Sequence, residues 1–378
     1  MKIIAYYLPQ FHEIPENNAW WGKGFTEWTN VRKAKPLFDG HNMPRIPLNE
    51  NYYDLSDVKT QKWQVELAKK YGVYGFCMYH YWFNGHLLLE KPIHQYLEHK
   101  ELDLPFCFSW ANEYWTNGWV SAENKILMAH DNSDEQDWID HFNYFLPFFK
   151  DDRYIKINGK PLLILYFPNI LQRCNEMIAC WRQMAKENGF DDLYILYQKA
   201  MTHFDNSFDK SCFDGGIEFQ PGYSLEKNRK ESDRKLANYR FEVINWLKLK
   251  FGISFKKRNT QGKLTHYSYD AVWKDILDTR PDNENMYPGA FVDWDNTPRK
   301  GYRGSLYDGM TPEKFEKYMT AQVANAKTNY KKDYLFLFAW NEWGESGYLE
   351  PDEKNRYGYL EAIRDALTEN GEFPTYPS

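Results

Sequence analysis

The sequence predicts an α/β protein: a single-domain (β/α)8 barrel of the TIM type over residues 1–378, with a basic insertion between its sixth and seventh strands. Three observations predict it. Eight short apolar runs recur along the chain, most of them separated by stretches of helical periodicity, the alternation that builds a parallel sheet. A length of 378 residues suits one such barrel with insertions. The residues that follow most of the runs are amides, carboxylates, histidines and tryptophans, placed where the βα loops of a barrel converge on one mouth.

The expected strands are Ile3–Leu8, Val73–Tyr79, Pro105–Trp110, Leu162–Phe167, Leu193–Tyr197, Gly216–Phe219, Gly289–Val292 and Tyr334–Trp340. Their β-branched and aromatic content suits strands buried on both faces. Between them, Asp57 to Tyr71 carries apolar residues at helical spacing and stops at Gly72. Asn175 to Asn188 does the same before Gly189, and Thr311-Pro312-Glu313 opens a further helix with proline at its first position. Residues 224–263 depart from this plan, with twelve Lys or Arg against four Asp or Glu in a chain of net charge -6. Phe241, Ile244, Leu247 and Phe251 fall roughly on one helical face there. That reads as an amphipathic insertion packed on the barrel or, more sharply, as a surface for anionic membrane or a lipid-linked glycan.

Composition narrows the function. Mean hydropathy is -0.76, and no apolar run approaches the roughly 20 residues of a membrane span. The start, Met1 to Pro9, lacks the features of a signal peptide, so a cytoplasmic location is expected. The five cysteines show no metal-ligand spacing and read as reduced thiols. The acidic balance gives no general attraction to nucleic acid. Aromatic residues make up 18%, with 15 Trp and 29 Tyr, more than a core of Leu, Ile and Val calls for. Rings with an apolar face and a polar tip suit sugars, which present C–H faces and hydroxyl edges.

The strand ends supply the candidate residues: Gln10 and His12 after the first, His80 and Trp82 after the second, Trp110, Asn112 and Glu113 after the third, Gln220 after the sixth, Asp293, Trp294 and Asp295 after the seventh, and Asn341, Glu342, Trp343 and Glu345 after the eighth. Glycosyl transfer needs a proton donor at the leaving oxygen and a second group at the anomeric carbon or on the attacker. Glu342 and Glu345, three residues apart across Trp343 and Gly344, are placed to do both, with Trp340 and Trp343 as stacking faces and a low-dielectric wall, and Asn341 to orient Glu342 or bind a hydroxyl. Glu113 with Glu342 is a rival pair. Asp293-Trp294-Asp295 matches the pattern by which glycosyltransferases hold a metal and a sugar nucleotide, or it binds sugar hydroxyls or pairs with Arg299. No metalloprotease, P-loop, paired C-x-x-C or G-x-S-x-G motif occurs.

Several long stretches carry a family resemblance: Tyr7-Leu8-Pro9-Gln10-Phe11-His12, the run from Trp20 to Asn30 that includes Trp28, Trp110-Ala111-Asn112-Glu113, the run from Asp293 to Arg299, Trp340-Asn341-Glu342-Trp343-Gly344-Glu345, and Leu349-Glu350-Pro351-Asp352. The chain resembles the glycoside hydrolase family 99-like proteins, in particular the WbsX-like branch associated with polysaccharide and lipopolysaccharide biosynthesis. The resemblance implies a (β/α)8 barrel and retaining, endo-type cleavage of α-mannosides through participation of the sugar 2-hydroxyl. On that mechanism Glu342 assists the 2-hydroxyl and Glu345 is the acid and then the base, while Glu113 becomes a substrate ligand. Tyr7, Trp28 and Arg299 join the substrate-binding candidates. No cofactor and no metal is implied, and the partner is an oligo- or polysaccharide. The family often has Gly after the second glutamate, where this chain has Ser346. The branch is commonly labelled glycosyltransferase, so a transferase in O-antigen or capsule synthesis stands as the alternative, with a non-catalytic glycan-binding protein behind it.

Overall fold

A computed structural model describes residues 1–116, 126–129, 131, 133–200, 208–227, 239, 243 and 262–376. Eight parallel strands line up in ring order: β1 (Lys2–Tyr7), β2 (Val73–Phe83), β3 (Phe106–Trp110), β4 (Lys160–Leu165), β5 (Tyr194–Lys199), β6 (Gly215–Glu218), β7 in two pieces (Met286–Tyr287 and Gly289–Phe291) and β8 (Tyr334–Phe338). The (β/α)8 barrel and its single domain are as expected. The ring closes through the chain itself. The first piece of β7 pairs with β6 at Gly216↔Met286 and Ile217↔Tyr287, and the second pairs with β8 from Gly289↔Phe336 to Phe291↔Phe338. Pro288, which has no N–H to give to a ladder, separates the pieces, and its carbonyl accepts from the Phe336 amide at 3.1 Å. Gly289 is required at this crossing, because a Cβ there would overlap the carbonyl oxygen of Glu218.

The helices follow their sequence signals. Val58–Tyr71 is capped by Asp57, which accepts from the Lys59 amide at 2.9 Å, and ends on Gly72 in the left-handed region at φ 87°. Thr311 caps Pro312–Thr328, accepting from the Lys314 amide. Cys174–Glu187 buries Met177, Ile178, Trp181 and Ala185 against the barrel. All five cysteines are free thiols; Cys77, Cys107 and Cys174 are buried and the other two half-buried. Among the described residues no helix is long and apolar enough to cross a membrane. The basic segment lies almost wholly outside the described residues, of which Ser224–Lys227 ends a short helix.

One strand is longer than its sequence suggests. β2 runs on through Phe83 and folds back as a hairpin onto His86–Leu88. His80 and Trp82 therefore stand within a strand, where side chains alternate between faces. Tyr79 and Tyr81 point into the barrel mouth, and His80 and Trp82 point out toward the helix Glu135–Phe149. Inside the barrel, Tyr6 stacks on Tyr79 at 5.5 Å and meets Phe219 edge-on at 5.1 Å, while Phe219 meets Phe338 at 5.2 Å. These rings form an apolar floor beneath the mouth.

Candidate active site

Above that floor lies a cavity of about 480 Å³. Its centre is Arg299, on the short helix Thr297–Lys300 that follows β7. The turn into this helix is held by Asp295, which accepts from the Thr297 amide at 3.0 Å, and by Asn296, which accepts from the Ser305 amide at 2.8 Å. Arg299 Nε donates to Glu27 Oε1 at 2.7 Å, Nη2 to Glu342 Oε1 at 2.9 Å, and Nη1 lies 3.2 Å from Glu345 Oε1. One guanidinium thus bridges three carboxyl groups, each side chain little exposed.

The three-residue spacing of Glu342 and Glu345 has a local cause. Trp343–Glu345 is a single 3-10 turn, and Glu342 Oε1 accepts from the Glu345 amide at 3.1 Å, so both carboxyl groups reach the same side. Gly344 has a different reason from backbone freedom. A Cβ there would lie 2.7 Å from Arg299 Nε and Nη2 and would overlap Glu27 Oε1, so the guanidinium passes only over a residue without a side chain. Ser346, by contrast, sits at φ 58° in the region glycine favours, which accounts for the Gly that the family often has there.

Burial pushes Glu342 up to about 8; Arg299 opposes the rise, and Glu345 and Glu27 reinforce it. Burial also works against the charge of Arg299, but the three carboxyl groups outweigh it and hold the guanidinium well above its usual range. The assembly is a pair of carboxyl groups kept in a water-poor wall by a fixed cation.

Residues 3–363 match the profile of the family described as Glycosyltransferase WbsX. The chain belongs to the WbsX glycosyltransferase family. Two curated relatives of this WbsX chain are described as uncharacterized protein WxcX, from Xanthomonas campestris pv. campestris strains ATCC 33913 and B100. Each is 35% identical over 374 residues, covering 97% of this chain and 49% of the relative. The chain spans about half the length of the curated relatives it matches. Among solved structures, a glycoside hydrolase-like protein superposes with a TM-score of 0.56 at 12% identity, covering 97% of this chain and 93% of its own. The GH99 endo-α-mannosidase from Bacteroides thetaiotaomicron, in complex with bis-tris propane, gives 0.53 at 13% identity, with 98% and 96% covered. At such identities the likeness is one of fold.

The remaining candidates divide by whether their side chains reach the cavity. Gln10, Glu113, Trp294, Arg299, Glu342 and Glu345 line the cavity of the WbsX chain. The others stand in the wall behind it, where direct contact with a substrate has no support from their positions. Tyr7 donates to Gln64 Oε1 at 2.8 Å, and Trp28 Nε1 to the Tyr53 carbonyl at 2.8 Å. His12 is buried, which pulls its imidazole below the ordinary range. His80 meets His141 ring nitrogen to ring nitrogen at 2.9 Å, and its burial pulls it down to about 3. Trp82 stacks on His141 at 4.5 Å and Trp110 meets the same ring edge-on at 4.7 Å. Asn112 clamps Phe167 by both backbone groups at 2.7 Å, and Asn341 clamps Leu8 in the same way at 2.8 and 3.0 Å. Gln220 accepts from the Ser224 amide.

Trp340 and Trp343 are wholly buried, so they contribute the low-dielectric wall but no stacking face; Trp343 itself stacks on Tyr348 at 3.7 Å. The two aspartates after β7 do not pair with Arg299. Asp293 takes Arg45 Nη2 at 2.8 Å, and Asp295 takes His41 Nε2 at 2.7 Å. Burial raises Asp293 against the pull of Arg45, whereas His41 and Thr297 outweigh burial at Asp295 and hold it low. Each has a partner in the protein, and no group of three His, Cys, Asp or Glu able to hold a metal occurs among the described residues.

Reading the sequence missed Glu27, Tyr79, Tyr81, Tyr166, Phe219 and Phe338, all of which line the cavity. For the two tyrosines of β2 the signal was parity: continuing the strand four residues past Tyr79, to Phe83, exchanges His80 and Trp82 for Tyr79 and Tyr81. Tyr81 accepts from Gln10 Nε2 at 2.7 Å, tying β2 to the loop after β1.

Proposed function

We propose that this chain is a retaining, endo-type glycoside hydrolase or transglycosylase acting on α-linked, mannoside-like bacterial polysaccharide. The observation that carries the reading is the Glu342–Glu345 pair, which shares one guanidinium and faces an aromatic-floored cavity. With Glu342 held near pH 8, the pair keeps a proton at neutral pH, the stoichiometry that one acid and one base require. Glu342 assists the attack of the sugar 2-hydroxyl on the anomeric carbon, and Glu345 protonates the leaving oxygen. This places the proton on Glu345 in the substrate complex, so binding of the glycan must draw it from Glu342. Glu345 then takes a proton from the water or sugar hydroxyl that attacks the anomeric carbon, the bond from that carbon to the 2-oxygen breaks, and Glu342 returns its proton to the 2-oxygen. Glu113 and Gln10 supply hydrogen bonds to hydroxyls, and Trp294 supplies a ring face.

The second reading, a transferase using an activated donor, is favoured by the family's name. The charge of the cavity supports it less. Among the described lining residues Glu27, Glu113, Glu342 and Glu345 face Arg299 and Lys300, and Arg299 already spans three carboxyl groups, a poor setting for a diphosphate. Calorimetric titration of Glu345→Gln separates the two readings. Binding of an α-mannoside oligosaccharide supports the hydrolase or transglycosylase, whereas metal-dependent binding of a sugar nucleotide alone overturns it. The basic stretch 224–263 is proposed to contact anionic lipid or a lipid-linked glycan; failure to float with anionic liposomes at low salt removes that part.

A further inference from the structure

We propose that Glu27 is a positioning residue that, by sharing Arg299, sets the number of protons held by the Glu342–Glu345 pair. The inference rests on reading that pair as the acid and base. Glu27 is buried just ahead of the helix Trp28–Lys33, far in sequence from the pair, and its carboxyl group takes Arg299 Nε at 2.7 Å. Without Glu27, one guanidinium would serve two carboxylates and could stabilise both as ions. With it, one positive charge faces three carboxyl groups in a wall with little water. Full ionisation would leave two uncompensated negative charges there, and a proton retained by the cluster removes one of them.

Gly344 completes the device, because only a bare backbone at that position lets Glu27 and Arg299 meet beside the turn that carries both glutamates. The other groups facing the pair do not substitute for Glu27. Tyr81 of β2 faces Glu342, and Tyr166, just past β4, lies near both Glu345 and Glu113; burial keeps both phenols neutral well past physiological pH. The upward shift of Glu342, to which Glu27 contributes, agrees with this arrangement.

The test is a pH titration by carbon-13 NMR of the full chain labelled at the glutamate side-chain carboxyl, with the Glu342 signal identified by its loss in Glu342→Gln. The wild-type signal is expected to titrate near pH 8. In Glu27→Gln the midpoint is expected to fall by about one pH unit, as for removal of a like charge within a few ångströms. An unchanged midpoint in a folded Glu27→Gln protein overturns the proposal. Should that variant not fold, Glu27→Ala removes the same charge and leaves space where Glu27 Oε1 packs against Gly344, so the midpoint is again expected to fall; an unchanged or higher value overturns the proposal. The titration needs no substrate, so it fails independently of the functional reading. A shifted midpoint in a protein without glycan-cleaving activity sinks that reading and leaves this one standing. In an active preparation the basic limb of kcat/KM moves with the midpoint, which a merely structural role for Glu27 would not cause.

Discussion

Glu342 and Glu350 are both fully buried carboxyl groups eight positions apart on one stretch of chain, and burial raises both, to about 8 and about 7. Their surroundings differ. Glu342 touches a guanidinium and faces the cavity. Glu350 faces away and accepts only from neutral donors: Tyr53 Oη at 2.8 Å, Gln64 Nε2 at 2.7 Å and Trp343 Nε1 at 2.7 Å. A raised carboxyl group therefore does not by itself mark chemistry. What separates the two is the direction of the side chain and whether the partner is charged. Glu350 ties the Trp343 wall to the helix Val58–Tyr71 and to Tyr53, and so fixes the turn on which Glu342 and Glu345 stand.

The comparison breaks if the two carboxyl groups respond alike to removal. Glu345→Gln or Glu342→Gln is expected to lower kcat on a glycan substrate about 10²–10⁴-fold with little change in melting temperature. An active Glu345→Gln enzyme would remove the assignment. Glu350→Gln is expected to act in the opposite sense, placing an amide N–H against buried donors and destabilising the fold by about 1–3 kcal/mol, with turnover of the folded fraction kept.

The same carboxyl group predicts a pH dependence. Because Glu350 binds its proton more tightly folded than unfolded, its contribution to stability is fully present below about pH 4.5 and is lost as pH rises through about 7. That loss is on the order of 3 kcal/mol. Urea unfolding midpoints measured from pH 4.5 to 8 should fall, and should fall less in Glu350→Gln; Glu342 contributes in the same direction and keeps part of the slope.

A smaller effect sharpens the contrast between the two faces of β2. Tyr81→Phe should weaken glycan binding by about 1 kcal/mol, roughly fivefold, and leave stability nearly unchanged. Trp82→Phe removes the bond from Trp82 Nε1 to Asp137 at 2.9 Å and should lower the melting temperature while leaving glycan affinity intact. Calorimetry with an α-mannoside oligosaccharide, paired with thermal melts, reads both.

The barrel was legible in the sequence because its signals are local. Apolar runs of the right length, helices capped by Asp57 and Thr311, and stops such as Gly72 act within a few residues. The pair Glu342–Glu345 was legible for the same reason, since a single turn sets its spacing. What escaped depends on geometry across the chain. Strand parity past Tyr79 turns on where β2 ends, and its hairpin to His86–Leu88 decides that. Glu27 meets Arg299 across 272 positions, and the spacing of neither announces the contact. Trp110, Asn112 and Trp340 look like binding residues by type, but their side chains turn away from the cavity: Trp110 packs on His141, Asn112 bonds to the Phe167 backbone and Trp340 packs on Phe76.

The split seventh strand has a consequence for how the molecule was assembled as an object. Every other joint of the barrel is a ladder between two whole strands, whereas β7 works as a gusset, stitched to β6 along its first piece and to β8 along its second. In sequence, residues 224–263 fall between β6 and β7, the two strands that meet at this joint. That joint is the shortest seam in the wall, and the loops that carry Arg299 and the two glutamates hang from β7 and β8, on the longer side of the gusset.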